Sequence, residues 1–79
     1  MFTTTDTALA SYLITQGHIP TRIDYSKPRF EFSFNSAPNI QSHAADYITG
    51  QALVDPATYS RVSKKINRIV RKQLQWEDD

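Results

Sequence analysis

The chain has 79 residues, a formal net charge of +1 and no cysteine. That length makes one domain with one small core, burying only about 60–65% of the surface its unfolded form exposes, so a deep substrate cavity would compete with the core itself. The missing thiols exclude a disulfide framework and a thiolate metal site, and no apolar run approaches the ~20 residues of a membrane span. The opening MFTTTDTAL has neither the basic nor the apolar region of a secretion signal. The expectation is a soluble protein of a reducing, cytoplasmic compartment, a single domain over 1–79 with its core at about 2–72 and a frayed acidic tail at 77–79.

The net charge hides a division. Residues 1–56 set Arg22, Lys27 and Arg29 against Asp6, Asp24, Glu31, Asp46 and Asp55, a net −2. Residues 57–76 carry +6, and Glu77, Asp78 and Asp79 take three units back. Such asymmetry says more about partners than the sum does.

Phe2 either begins a short strand or plugs the core. Any of Thr4, Thr5 and Asp6 is suited to cap a helix. Ala8, Leu9, Tyr12 and Leu13 then follow at helical spacing, and Gly17 is placed to stop the segment in a left-handed conformation, which predicts a first helix over about 6–16. Residues 18–25 read as a strand that starts late or lies at an edge, because Pro20 has no N–H to donate. In 29–34, Phe30, Phe32 and Phe34 alternate with Arg29, Glu31 and Ser33, the pattern of a half-buried strand. The two strands form an antiparallel hairpin through Ser26, Lys27 and Pro28. Two registers are open. Pairing Ile23 with Phe30 sets opposite charges across the ladder but places Pro28 where a donor is needed. Pairing Tyr25 with Phe30 frees Pro28 into the turn but opposes Asp24 and Glu31.

Ser36 as cap and Pro38 in the first turn open a second helix, with Ile40, His43 or Ala44, Tyr47 and Ile48 on its apolar side and Gly50 at its end. Residues 51–54 read as a short extended piece, a third strand beside the hairpin. Asp55 followed by Pro56 is the best helix start in the chain. From there Tyr59, Val62, Ile66, Ile69, Gln73 and Trp76 recur at alternating steps of three and four, which predicts one long amphipathic helix reaching Trp76. An acidic tail sits badly on a helix C-terminus, so fraying is expected near Trp76. The fold class expected is α+β, in the order α-β-β-α-β-α, with helices covering the phenylalanine side of the hairpin.

Phe2, Thr4 or Thr5 with Asp6, the run Leu9-Ala10-x-Tyr12-Leu13, Gly17-His18, Phe30-x-Phe32, Tyr47-x-x-Gly50-x-Ala52-x-Val54 and Asp55-Pro56 together form a pattern over most of residues 2–59. It resembles a family of small bacterial and phage domains of unknown function. The motifs are caps, stops and core positions. The resemblance implies a bacterial or mobile-element setting and brings no activity with it. The helix after Tyr59 is more strongly charged than the family pattern requires.

That helix carries Arg61, Lys64, Lys65, Arg68, Arg71 and Lys72 with no acid among them. Such cations neutralise phosphates and release their counterions, whereas a helix surface that serves solubility alone normally mixes both signs. Arg22 and Arg29, on the hairpin face away from the phenylalanines, extend the patch if that face is open. No base-reading module is visible, so the expected partner is nucleic acid or a nucleoprotein complex bound with little sequence preference. The competing expectation is a protein adaptor or an inhibitor of a host complex, using the distal seam with Leu74 and Trp76 as anchors. Membrane binding is not expected, because the apolar stripe is needed for the core. Catalysis is not expected either. His43 and Asp46 stand three apart, but two ligands make no metal site. No serine or threonine has a nucleophile setting, both glycines are helix stops, and no cofactor is implied.

Overall fold

The computed structural model describes residues 1–79. Its elements are β1 (Phe2–Thr4), α1 (Thr7–Thr15), β2 (Pro20–Asp24), β3 (Glu31–Phe34), α2 (Ile40–Ile48), α3 (Pro56–Lys72) and a short 3-10 turn, Trp76–Asp78. The fold is α+β, as the alternation and caps predict. The strands form one antiparallel sheet in the order β1-β3-β2.

The third strand is β1, not residues 51–54. Phe2 pairs with Phe34 and Thr4 with Phe32, so the N-terminal strand takes one flank of β3. The outer edge of β2 is closed by a side chain: the Ile23 N–H donates to Gln75 Oε1 at 2.7 Å, and Gln75 Nε2 donates to the Ile23 carbonyl at 2.9 Å. With both flanks of the hairpin occupied, residues 51–54 run as an open connection, and Leu53 is 87% exposed.

The hairpin adopts the register with Pro28 in the turn, Ile23 opposite Phe32 and Asp24 opposite Glu31. The like charges are dealt with inside the turn. Ser26 donates to Asp24 through its N–H and its hydroxyl, and Lys27 Nζ lies 2.9 Å from Glu31. The pairing slips between Pro20 and Arg22, which lets Pro20 open an edge strand without a ladder donor.

Phe32, Phe34 and Ile23 point to one face of the sheet and are buried against Leu9, Leu13, Ile66 and Ile69. α1 and α3 therefore form the layer over that face, and α2 packs on α1 through Ile40, Ala44 and Tyr47, whose ring stacks on Tyr12. Asp6 caps α1 by accepting from the N–H groups of Ala8 and Leu9, and Asp55 caps α3 by accepting from Thr58. α2 starts at Ile40 after Asn39, later than a Ser36 cap would have it, because the Pro38–Asn39 turn intervenes. Ile48, read as apolar-face, is 74% exposed. A nine-residue helix makes little more than two turns, and Ile40, Ala44 and Tyr47 already fill its contact with α1.

All three helices end the same way. The N–H of His18 reaches Leu13, that of Gln51 reaches Asp46, and that of Leu74 reaches Ile69, the six-to-one bond of a Schellman turn. The left-handed residue is Gly17 in α1, Gly50 in α2 and Gln73, at φ 55°, in α3. So α3 stops at Lys72 and does not continue to Trp76. Tyr25 from the hairpin donates its hydroxyl to the Leu74 carbonyl at 2.6 Å, which fixes the exit. The chain then folds back: Leu74 and Trp76 pack against the core instead of projecting. The radius of gyration of 11.9 Å agrees with the ~11.6 Å of a compact chain of this length.

Candidate nucleic-acid interface

α3 is held by Ile66 and Ile69, both buried, with Tyr59, Val62 and Val70 beside them. At 3.6 residues per turn, Arg61, Lys64, Lys65, Arg68, Arg71 and Lys72 fall within an arc of about 120° opposite that seam. From Arg61 to Lys72 the stripe runs about 16 Å, the rise of about five phosphates along one strand at 3.4 Å each. Arg61, Lys64, Arg71 and Lys72 are exposed, while Lys65 and Arg68 are half-covered.

Arg68 is the hub of the stripe. Lys64, Lys65, Arg71 and Lys72 stand three or four residues from it, the positions that face one another on a helix. Along α3 the cations therefore crowd most closely around Arg68, and a carboxylate sits there. Asp79 accepts from Arg68 Nε at 2.9 Å and from its NH2 group at 2.5 Å, a two-point fork. Arg68, then Lys65 and Lys72, hold the Asp79 carboxyl below the ordinary carboxylate range. Lys65 Nζ lies 3.8 Å from the centre of the Trp76 ring, a cation–π contact. Two of the six cations are thus engaged by the chain's own last residues, and Arg68 alone among them has a salt-bridge partner.

The structure does not bring Arg22 and Arg29 to this stripe. Arg22 alternates with buried Ile23 and pairs with Ser33, so it leaves the sheet on the face away from the helices. That face is open, but it lies across the layer from α3. Arg29 precedes β3, in the turn, and lines a shallow depression with Thr5, Thr7, Pro28 and Phe30. Leu74 and Trp76, expected as projecting anchors, are half-buried in the return of the chain.

One pair of residues escaped the sequence altogether. His18, just after α1, and His43, on α2, meet with Nε2 and Nδ1 2.9 Å apart. Burial first, and His43 second, lower the His18 pKa. No local spacing announces a pair 25 residues apart. No group of three or more His, Asp or Glu side chains comes together to hold a metal. The two surface depressions, of 180 and 260 Å³, fall short of the ~300 Å³ at which small-molecule pockets begin. No helix is long and apolar enough to cross a membrane.

Residues 1–72 match the family described as Domain of unknown function (DUF5659). The chain belongs to that family. No curated protein and no solved structure matches it. The matched span ends at Lys72, the last residue of α3, so the return carrying Leu74, Gln75, Trp76 and Asp79 lies outside it.

Proposed function

We propose that this domain is a non-catalytic module that binds the phosphate backbone of nucleic acid, alone or in a nucleoprotein complex, through the outward side of α3. One observation carries the reading. Six cations share one arc of a helix whose other side is fixed in the core, and only Arg68 has an acidic partner. A stripe without interspersed acids accumulates repulsion between neighbours, and a polyanion relieves it. The contacts are to phosphates, so affinity depends steeply on salt and little on sequence. The setting that fits is the cytoplasm of a bacterium or of a cell carrying its mobile elements.

The test uses the cations that have no acidic partner in the chain. The triple variant Lys64→Glu, Arg71→Glu, Lys72→Glu should lose binding to a labelled duplex or single strand by at least about a hundredfold at low salt. Its circular dichroism should match the parent, because all three side chains are exposed, while its melting should fall slightly, because Arg71 and Lys72 stand in the last turn of α3, where cations favour the helix dipole. Equal binding by parent and variant, or no binding by the parent below about 50 mM salt, would remove the reading.

A second reading, a protein partner, is favoured by a different surface from the one the sequence suggested. Ile48 and Leu53 are 74% and 87% exposed, close together in sequence on either side of Gly50. On that reading, Ile48→Ser with Leu53→Ser abolishes capture of a partner that resists nuclease treatment and leaves nucleic-acid binding intact. A captured partner that survives the double substitution argues against this surface.

A further inference from the structure

We infer that Asp79 is an internal stand-in for a phosphate: it occupies the anion site at Arg68, with Lys65 and Lys72 one turn to either side along α3, and must leave before Arg68 can take a phosphate from outside. The inference rests on the reading above and adds how the same surface is regulated.

Three features of the return separate a fixed part from a movable one. Leu74 is held by the Tyr25 hydroxyl and by the Schellman bond to Ile69, and Gln75 makes two hydrogen bonds to Ile23. Trp76 is half-buried against the core, beneath the Lys65 ammonium. Beyond it, Glu77 and Asp78 are exposed, and Asp78 bonds only within its own turn, to Gln75. The Asp79 side chain reaches nothing but Arg68, yet is only 17% exposed. The return as far as Trp76 thus belongs to the fold, and the clasp beyond it depends on one ion pair.

The chemistry of the clasp is that of a phosphodiester contact. A carboxylate and a phosphate both offer two oxygens to the flat fork of an arginine. Asp79 has settled at the residue with cations on all four neighbouring helix positions, where a phosphate is drawn most strongly. An ion pair at the surface holds only weakly against solvent, so the clasp tunes affinity and does not forbid binding. It is also screened by salt, so the tuning is greatest in dilute buffer.

Asp79→Asn removes the charge and keeps the shape. Glu77→Gln removes one equal charge two residues away that touches no cation, and so controls for net charge. Titrated with a labelled single-stranded oligonucleotide, Asp79→Asn should bind about fivefold tighter than the parent at low salt, Glu77→Gln much less than that, and the gap should close as salt rises. Independently of any ligand, the Arg68 Nε–H resonance should be shifted and slowly exchanging in the parent and lose both properties in Asp79→Asn. An Arg68 resonance unmoved by Asp79→Asn overturns the clasp whatever the protein binds. Equal gains from Asp79→Asn and Glu77→Gln also overturn it, while leaving nucleic-acid binding in place. Binding by neither parent nor variants removes the function and the clasp together.

Discussion

α1 and α3 lie side by side over the sheet, and they are built alike. Each begins at an aspartate cap and ends in a Schellman turn. They differ in how many of their sides are covered. In α1 the unbroken run Leu9, Ala10, Ser11, Tyr12, Leu13 and Ile14 is buried, which takes in the whole circumference. In α3 only Ile66 and Ile69 are buried, and from Arg61 onward the opposite arc is all cations. α1 is the centre of the domain, with the sheet, α2 and α3 around it; α3 is a wall with an outside. The absence of charge, more than any apolar stripe, marks a helix enclosed on every side.

The largest effect expected from breaking this contrast is at Leu13, which has no exposed surface. Leu13→Ala should cost about 2–5 kcal/mol in urea or thermal unfolding. A domain of this size has only ~4–12 kcal/mol to lose, so the variant should be close to unfolding at 37 °C. Lys64→Ala on α3 should change stability by less than about 0.5 kcal/mol. Similar losses at both positions would dissolve the distinction between centre and wall.

The same pair explains what could be read in advance. Asp55 announces the start of α3, and Thr4, Thr5 or Asp6 that of α1, where the cap proves to be Asp6; Gly17 and Gly50 announce two of three helix ends, because an L side chain resists the left-handed region and glycine does not. The third end falls on Gln73, which takes φ 55° without being glycine. Its cue is tertiary: the Tyr25 hydroxyl on the Leu74 carbonyl, with Gln75 on Ile23. An apolar period continuing to Trp76 therefore reads as helix where the chain in fact turns back. The third strand was obscured for a related reason. β1 has only three residues, too few for alternation to register, and residues 51–54 carry Leu53 and Val54 with nothing to pair against. Of the candidate site, the stripe on α3 was legible because it is local. Asp79 on Arg68, the separation of Arg22 from the stripe and the two histidines depend on how distant parts of the chain are brought together, on which local periodicity is silent.

The two margins of the sheet offer the next test. β1 is short and its outer edge is bare, whereas the outer edge of β2 is closed by Gln75 acting as a one-residue strand. Gln75→Ala removes both hydrogen bonds at once and should cost about 1–3 kcal/mol. Hydrogen exchange gives the sharper reading. The Ile23 amide should lose protection more than the amides of β3, and Gln75→Glu, which keeps the acceptor and loses the donor, should fall between. Unchanged protection at Ile23 would mean that the return after α3 does not seal that edge.

The smallest effect concerns the other helix end. The exit of α3 is fixed by neutral hydrogen bonds that do not titrate near neutral pH; the exit of α1 is tied to α2 by His18 and His43 at 2.9 Å. Tyr12 lies edge-on to His43, and Tyr47 stacks on Tyr12. Burial and then His43 lower the His18 pKa from its ordinary 6.5, so folding favours the neutral ring. The sign follows from linkage. The contribution of His18 is complete above its unfolded-state pKa and is lost as pH falls from there through the lowered folded value. The urea midpoint should therefore drop between pH 7.5 and pH 5.5, a window in which ordinary carboxylates stay ionised. His18→Gln, which cannot take up the proton, should flatten that dependence. A parent midpoint that holds steady across the window would mean that the two rings touch without contributing to how α1 and α2 are joined.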